Sequence, residues 1–332
     1  MQNIKETIGV DVSKLTIEVR IHTSQASQEF KNTLAGHKKL IKWVSKATGF
    51  EKGNLLYAFE HTGLYSFPLS SFLSENGFNY IMIPGLELKR SMGIARGKDD
   101  RIDAKRIAEY AFMKKEKIQP YQLPSKEIIE IKRYLILRER LVKQRAGFQS
   151  ALKESKGFLK SKDLKLFFDV HKKMIKELSE QIEKVDGKLN QIIINDEQLK
   201  KMYDLITSIK GVGPQTALFC IALTNGFTLF KAWRKFASYS GIAPFPNRSG
   251  TSLKGRTKVS YLANKKMKTL LSSCAVNSIN TNPEMKNFFQ RRITEGKSKM
   301  STINIIRNKI VARIFAVVER GTPYVDTMKY AA

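Results

Sequence analysis

Residues 7 to 22 alternate apolar and polar side chains in two short runs, Ile8-Gly9-Val10-Asp11-Val12 and Thr16-Ile17-Glu18-Val19-Arg20-Ile21, with Ser13 and Lys14 between them. A period of two over such short runs predicts strands, and the polar pair predicts a hairpin turn. A hairpin of this kind must bury one face, so the chain opens on a sheet, and Asp11 lies at the end of its first strand. Another apolar run, Leu55 to Phe59, ends in Glu60, and a third, Tyr80-Ile81-Met82-Ile83, ends at Pro84-Gly85. Helical spacing from Ser66 to Glu75 separates them. From Asp99 to Met113 the residues Ile102, Ile107, Ala108, Ala111 and Phe112 fall on helical spacing, with carboxylates in the first turn, where the helix dipole favours them. Residues 1–123 therefore read as a mixed α/β domain.

Pro124-Ser125 opens a different regime. Ser125 is a candidate N-cap, and Ile128, Ile131, Leu135 and Val142 form a helical stripe among many charges. After Gly157 and a Ser161-Lys162-Asp163 break, Met174, Leu178, Ile182, Val185, Leu189 and Ile192 continue at steps of three and four. Residues 124–200 thus predict a long antiparallel helical hairpin or coiled coil, acting as a spacer or oligomerisation arm. Residues 201–332 predict a further, mainly helical domain that ends in an apolar and basic helix around Ile303 to Val318.

Charge narrows the function. Fifty-nine Lys and Arg against thirty Asp and Glu leave a formal charge of +29, far above the roughly 2 to 8 units that keep a small domain soluble. A polyanion is the expected partner, and nucleic acid supplies one phosphate charge per about 1.7 Å of duplex axis. No amphipathic anchor, lipidation motif or secretion signal is found, and the longest clean apolar run, Ala217 to Leu223, is too short to span a bilayer. The expectation is a soluble, cytoplasmic protein without a membrane partner. Cys220 and Cys274 sit in apolar segments without metal-ligand spacing, and the four histidines are scattered, so buried reduced thiols and no zinc site are expected.

Asp11 and Glu60 at strand ends, with Asp100 and Asp103 on one helix face, bring acids from three separate elements. Two Mg²⁺ ions about 3.5 to 4 Å apart need several carboxylates on rigid elements, and they activate an attacking oxygen and stabilise a leaving oxygen of a phosphodiester. Each acid alone is more simply a surface charge or a helix N-terminal charge. Helical spacing does not choose between Asp99 and Asp100, since Asp99 also lies one turn from Asp103.

In the C-terminal half, Leu205 to Ala217 predicts a helix, a tight turn through Gly211 and Gly213, and a second helix, which suits a phosphate at the new helix N-terminus or a plain interhelical turn. Further on, Arg248-Ser249-Gly250 leads into a Gly, Lys, Arg and Ser-rich stretch through Lys258, expected as a flexible cationic loop, and then a helix with Asn264, Lys265, Lys266 and Lys268. Ser249 is a candidate attacking hydroxyl, although Ser-Gly is also ordinary turn chemistry and no histidine lies nearby. Tyr65, Phe167, Phe168, Trp233 and Tyr239 are expected in the core rather than on nucleobases.

The strings Ile8-Gly9-Val10-Asp11-Val12-Ser13-Lys14, Glu60-His61-Thr62-Gly63-Leu64-Tyr65 and Lys98-Asp99-Asp100-Arg101-Ile102-Asp103-Ala104-Lys105-Arg106-Ile107-Ala108 resemble the N-terminal motifs of the DEDD transposases of the insertion-sequence 110 family. Ser208 to Gly213, Tyr239 to Pro244 and Arg248-Ser249-Gly250 resemble successive motifs of that family's transposase domain. The resemblance implies a RuvC-like, ribonuclease-H-like first domain with Mg²⁺ or Mn²⁺ on Asp11, Glu60, Asp100 and Asp103, and Ser249 as the covalent nucleophile. It also implies a structured guide RNA, the bridge RNA, pairing with donor and target DNA, and a homo-oligomer, a dimer assembling to a tetramer, whose sites combine both domains from different subunits. Lys98, Lys105, Arg106, Lys210, Gly211, Gly213, Arg248, Lys254, Arg256, Lys258 and Lys265 are the expected nucleic-acid contacts. Asp99 departs from a slot that is usually a small hydroxyl residue, Lys210 stands where proline is common, and Ala263 where glycine is common. A junction-resolving or structure-specific nuclease using only the carboxylates is the alternative.

Overall fold

The computed structural model describes residues 4–91, 100–117, 119–158, 164–249 and 253–326. The chain forms two compact units, Met1–Leu123 and Pro124–Ala332. No helix among the described residues is long and apolar enough to cross a membrane.

In the first unit, strands β1 (Glu6–Val12), β2 (Thr16–Ile21), β3 (Ser27–Lys31), β4 (Leu55–Glu60) and β5 (Asn79–Ile83) form one sheet in the order β3-β2-β1-β4-β5. The β1 to β3 meander is antiparallel, whereas β4 pairs parallel to β1 and β5 parallel to β4. The predicted hairpin is present, with the Ser13 amide bonded to the Thr16 carbonyl at 3.0 Å. Parallel strands need crossovers, and helices α1 (Leu34–Thr48) and α2 (Phe67–Glu75) supply them. Strand alternation sorts the two faces. Ile8, Val10, Val12, Tyr57 and Phe59 share a core with Leu40 and Val44 of α1 and Leu69, Phe72 and Leu73 of α2. Leu56, Ala58, Ile81 and Ile83 share the opposite core with Leu88 of α3 (Gly85–Ser91) and Ile107, Tyr110 and Ala111 of α4 (Asp100–Lys114). The sheet is thus covered on both faces, as a largely buried central strand set requires. Sequence spacing gave no expectation for β3 or α1.

The second unit begins with α5 (Lys126–Phe158) and α6 (Lys165–Asn195). Ser125 does cap α5, accepting from the Ile128 amide at 3.3 Å. Arg138 grips Asp186 at 2.6 and 3.0 Å, and Arg145 donates to Ser179 at 3.1 Å. Residue numbers that rise on one helix while falling on the other mean that the two run antiparallel. The expected stripe is buried at Leu178, Ile182, Val185, Leu189 and Ile192. Then come α7 (Glu197–Thr207), α8 (Pro214–Thr224), α9 (Trp233–Tyr239), strands β6 (Pro244–Ser249) and β7 (Leu253–Val259), α10 (Lys265–Thr281), α11 (Pro283–Thr294) and α12 (Lys299–Arg320). Asp196, Asn264, Asn282 and Ser298 cap α7, α10, α11 and α12 with side-chain oxygens, as their residue types favour. One core runs through all these helices, and Cys220 and Cys274 are buried free thiols within it. Burial pushes both thiols up, so they stay protonated and unreactive.

One expectation is corrected. The cationic segment from Asn247 to Lys258 is not a loop throughout: its flanks pair as the antiparallel β6–β7 hairpin, with Arg248 opposite Lys254 and Ser249 opposite Leu253. Thr257 and Val259 supply β-branched residues at the base, and cross-strand pairing satisfies the backbone that a loop would leave to water.

Candidate active site

The β1–β4 register sets Val10 beside Phe59, so Asp11 and Glu60 are the next residues on adjacent parallel strands. Both belong to the face that α4 covers, because their strand neighbours Val10 and Phe59 point into the other core. Gly9, two residues before Asp11, admits the helix: a Cβ there would stand 2.1 Å from the Ala104 carbonyl oxygen and 2.4 Å from the Ala108 nitrogen. Thr7 donates to the Ala108 carbonyl at 3.0 Å. Residue 7 meets 108 and residue 9 meets 104, so α4 runs antiparallel to β1. Two strand residues advance about 6.6 Å and four helical residues about 6 Å, which carries the first turn of α4, with Asp100 and Asp103, to the level of Asp11.

Electrostatics reports the same convergence. The Asp11 carboxyl is pushed up to about 6, first by burial and then by the charges of Asp100, Asp103 and Glu60, against one lowering hydrogen bond from the Val12 backbone. Like charges gathered at a half-buried carboxylate raise its proton affinity in this way. The Glu60 carboxylate lies over Gly85, where a Cβ would come within 2.2 Å of Oε1. Asp103 accepts from Arg106 at 3.1 Å. Among the described residues no three His, Cys, Asp or Glu side chains stand close enough to ligate one ion together. Asp99 and Lys98 lie outside the described residues.

Glu18 is a neighbour that sequence spacing did not single out. It pairs directly with Asp11 across the β1–β2 hairpin, is 8% exposed, and lies 3.6 Å from the Arg101 guanidinium in the first turn of α4. In the alternating strand Glu18 holds an ordinary polar position, as Thr16 and Arg20 do, so spacing alone gave no signal. Only the hairpin register shows which residue it faces.

Among the expected nucleic-acid contacts, Lys105 lies 3.8 Å from Glu109, Arg106 is bonded to Asp103, and Lys210 pairs with Asp326 at 2.6 Å. The turn between α7 and α8 forms as expected: Gly211 has φ +92°, and a Cβ there would collide with Ser278. Gly213 caps α8, with Pro214 as its first residue. Gly241, at φ +67°, turns the chain from α9 toward β6, and Asn304 and Asn308 of α12 both donate to the Ile242 carbonyl, at 2.8 and 3.0 Å. These contacts anchor the root of the hairpin that bears Arg248 and Ser249 on β6 and Lys254, Arg256 and Lys258 on β7. Lys265 is the exposed first residue of α10. Tyr239 and Tyr65 are partly exposed rather than fully in a core, whereas Phe168 is buried.

Comparison with known proteins joins both halves. Residues 8–155 match a family model described as a transposase, and residues 203–290 match the model of the transposase IS116/IS110/IS902 family. The pilin gene-inverting proteins of Moraxella bovis and Moraxella lacunata are each 26% identical, over 96% of this chain and 98% of their own length. An insertion element IS110 protein of Streptomyces coelicolor is 25% identical over 45% of this chain and 36% of its own length. With both halves matched, the chain belongs to the IS110 family of transposases and is a DNA transposase or recombinase.

Proposed function

We propose that this recombinase cuts and rejoins DNA through a covalent serine intermediate, with divalent ions held by Asp11, Glu60, Asp100 and Asp103. The observation that carries the reading is the meeting of Asp11, Glu60 and the first turn of α4 on one face of the sheet. The sheet order, with an antiparallel meander followed by two parallel strands, supports a RuvC-like fold. The donor set fits a divalent cation: all four side chains are hard oxygen donors, and their mutual repulsion at Asp11 is what a cation neutralises. Bound there, Mg²⁺ or Mn²⁺ would supply positive charge to the phosphoryl oxygens of the transition state.

Ser249 attacks the phosphodiester. A bond forms between its Oγ and phosphorus, the bond from phosphorus to one DNA oxygen breaks, the serine hydroxyl loses its proton and the departing oxygen gains one. A DNA hydroxyl then attacks the phosphoserine and restores both partners, so the bond energy is conserved. The cationic composition of the β6–β7 segment, with Arg248, Lys254, Arg256 and Lys258, supports a phosphate-binding hairpin. The reading extends to 1–123 as the carboxylate domain, 124–200 as a coiled-coil arm and 201–332 as the serine domain, in a cytoplasmic tetramer built from dimers. A structured guide RNA paired with donor and target DNA carries the sequence specificity, and the charge of +29 supports a polyanionic load of that size.

Denaturing gels test the chemistry. Wild type should give a protein–DNA adduct that Ser249→Ala lacks, and Asp11→Ala should abolish cleavage and adduct together. Undiminished cleavage by Ser249→Ala, with no adduct in wild type, would establish a carboxylate-only nuclease instead. Sequencing of co-purifying RNA tests guidance: a single defined transcript is expected, and a random mixture refutes it.

A further inference from the structure

Three loops meet at the end of the sheet where Asp11 and Glu60 lie, and Asn32 ties them together. Its Nδ2 donates to the Ser13 carbonyl at 2.9 Å and the Tyr65 carbonyl at 3.0 Å, and its backbone amide donates to the Leu15 carbonyl at 2.8 Å. With Nδ2 donating, Oδ1 is the acceptor for Nε2 of buried His37, 2.9 Å away. Burial lowers the His37 pKa, which keeps the ring neutral and able to serve as that donor. The loops so fixed expose Leu15 at 73%, Leu64 at 67% and Tyr65 at 46%, and the first residue of α1, Leu34, is exposed at 60%. Leu15 follows Asp11 by four residues, and Leu64 and Tyr65 follow Glu60 by four and five. Lys14 and Lys31 are exposed beside them, and neither is ion-paired among the described residues.

We infer that this edge is a stacking shelf for unpaired nucleobases flanking the reactive phosphate. The inference rests on the proposal that Asp11 and Glu60 face that phosphate. Single exposed apolar residues need no explanation, but four gathered about one half-buried hydrogen-bonding hub form a patch. A nucleic-acid strand offers flat apolar faces at regular intervals along a charged backbone, and here exposed Lys14 directly precedes Leu15 and exposed Lys31 lies three residues before Leu34. Base stacking tolerates any sequence, which suits an enzyme whose specificity lies elsewhere. Because the loops are already tied, little ordering cost opposes binding.

Binding of the full-length protein to a labelled single-stranded oligonucleotide, compared with an abasic strand of the same length, tests the shelf. Wild type should prefer the base-bearing strand by roughly 5- to 100-fold. Leu64→Ser combined with Tyr65→Ala should bring that ratio close to one while leaving the abasic affinity and the melting temperature unchanged, and Tyr65→Phe should restore most of the preference. An unaltered ratio in the double variant overturns the proposal. So does an unaltered ratio accompanied by a lower sedimentation coefficient, which would assign the patch to a second copy of the chain. Asp11→Ala, assayed in parallel, separates the two readings. If it abolishes cleavage while the double variant keeps its base preference, the shelf alone fails. If it cleaves like wild type while the double variant loses the preference, the carboxylate site alone fails.

Discussion

Asp11 is held against its chemical preference. Its ordinary pKa is 3.8, and burial with three neighbouring acids raises it to about 6. Between those values the folded chain keeps a proton that the unfolded chain has released, so stability falls as pH rises through that window, and the cost is fully present above it. Asp11→Asn is therefore expected to be more stable than wild type at pH 7, by on the order of 1 kcal/mol after solvent screening, and to match it near pH 3 in chemical denaturation. Mg²⁺ should raise the wild-type melting temperature and raise that of Asp11→Asn much less; equal shifts in both would count against ion binding at Asp11. Arg307 is held in a similar way. It is buried, with Nε unpartnered among the described residues and only the Asn304 side chain near Nη1 at 3.3 Å. Arg307→Met should not lower the melting temperature, since a buried guanidinium without a carboxylate gains little from its position.

At the level of elements, the site depends on how closely α4 approaches β1. Gly9→Ala places a Cβ 2.1 Å from backbone that has no flexible end to move. A cost of at least about 1–3 kcal/mol is expected, together with displacement of the acidic turn. Calorimetry should show the loss, and the Mg²⁺-dependent rise in melting temperature should shrink with it; a variant with wild-type stability and metal response would contradict the docking described. In the second unit, the forked Arg138–Asp186 pair locks α5 to α6. Arg138→Ala should cost about 1–2 kcal/mol in chemical denaturation, whereas truncating exposed Lys173, whose Glu177 partner is 3.9 Å away on the same helix, should cost little.

For the whole molecule, the charge of +29 predicts affinity for duplex DNA that falls by roughly a thousandfold or more between 50 and 200 mM salt. A shallow slope in a fluorescence-anisotropy titration would mean that few phosphates are contacted. That charge, the strand periodicity around Asp11 and Glu60, the first turn of α4 and the stripe of α6 were all legible in the linear chain, because each depends on composition or on residues within one turn or one strand. The Arg248–Ser249 hairpin was not, since its strands are rich in Lys, Arg, Gly and Pro, and pairing across the turn overrides local preference. Glu18, Asn32 and the exposed Tyr65 were equally hidden. The residues themselves determined which acids stand at strand and helix ends; only tertiary packing decided that four of them share one electrostatic environment. Coulomb forces act over ångströms of space between elements, whereas periodicity records nothing beyond the element that contains it.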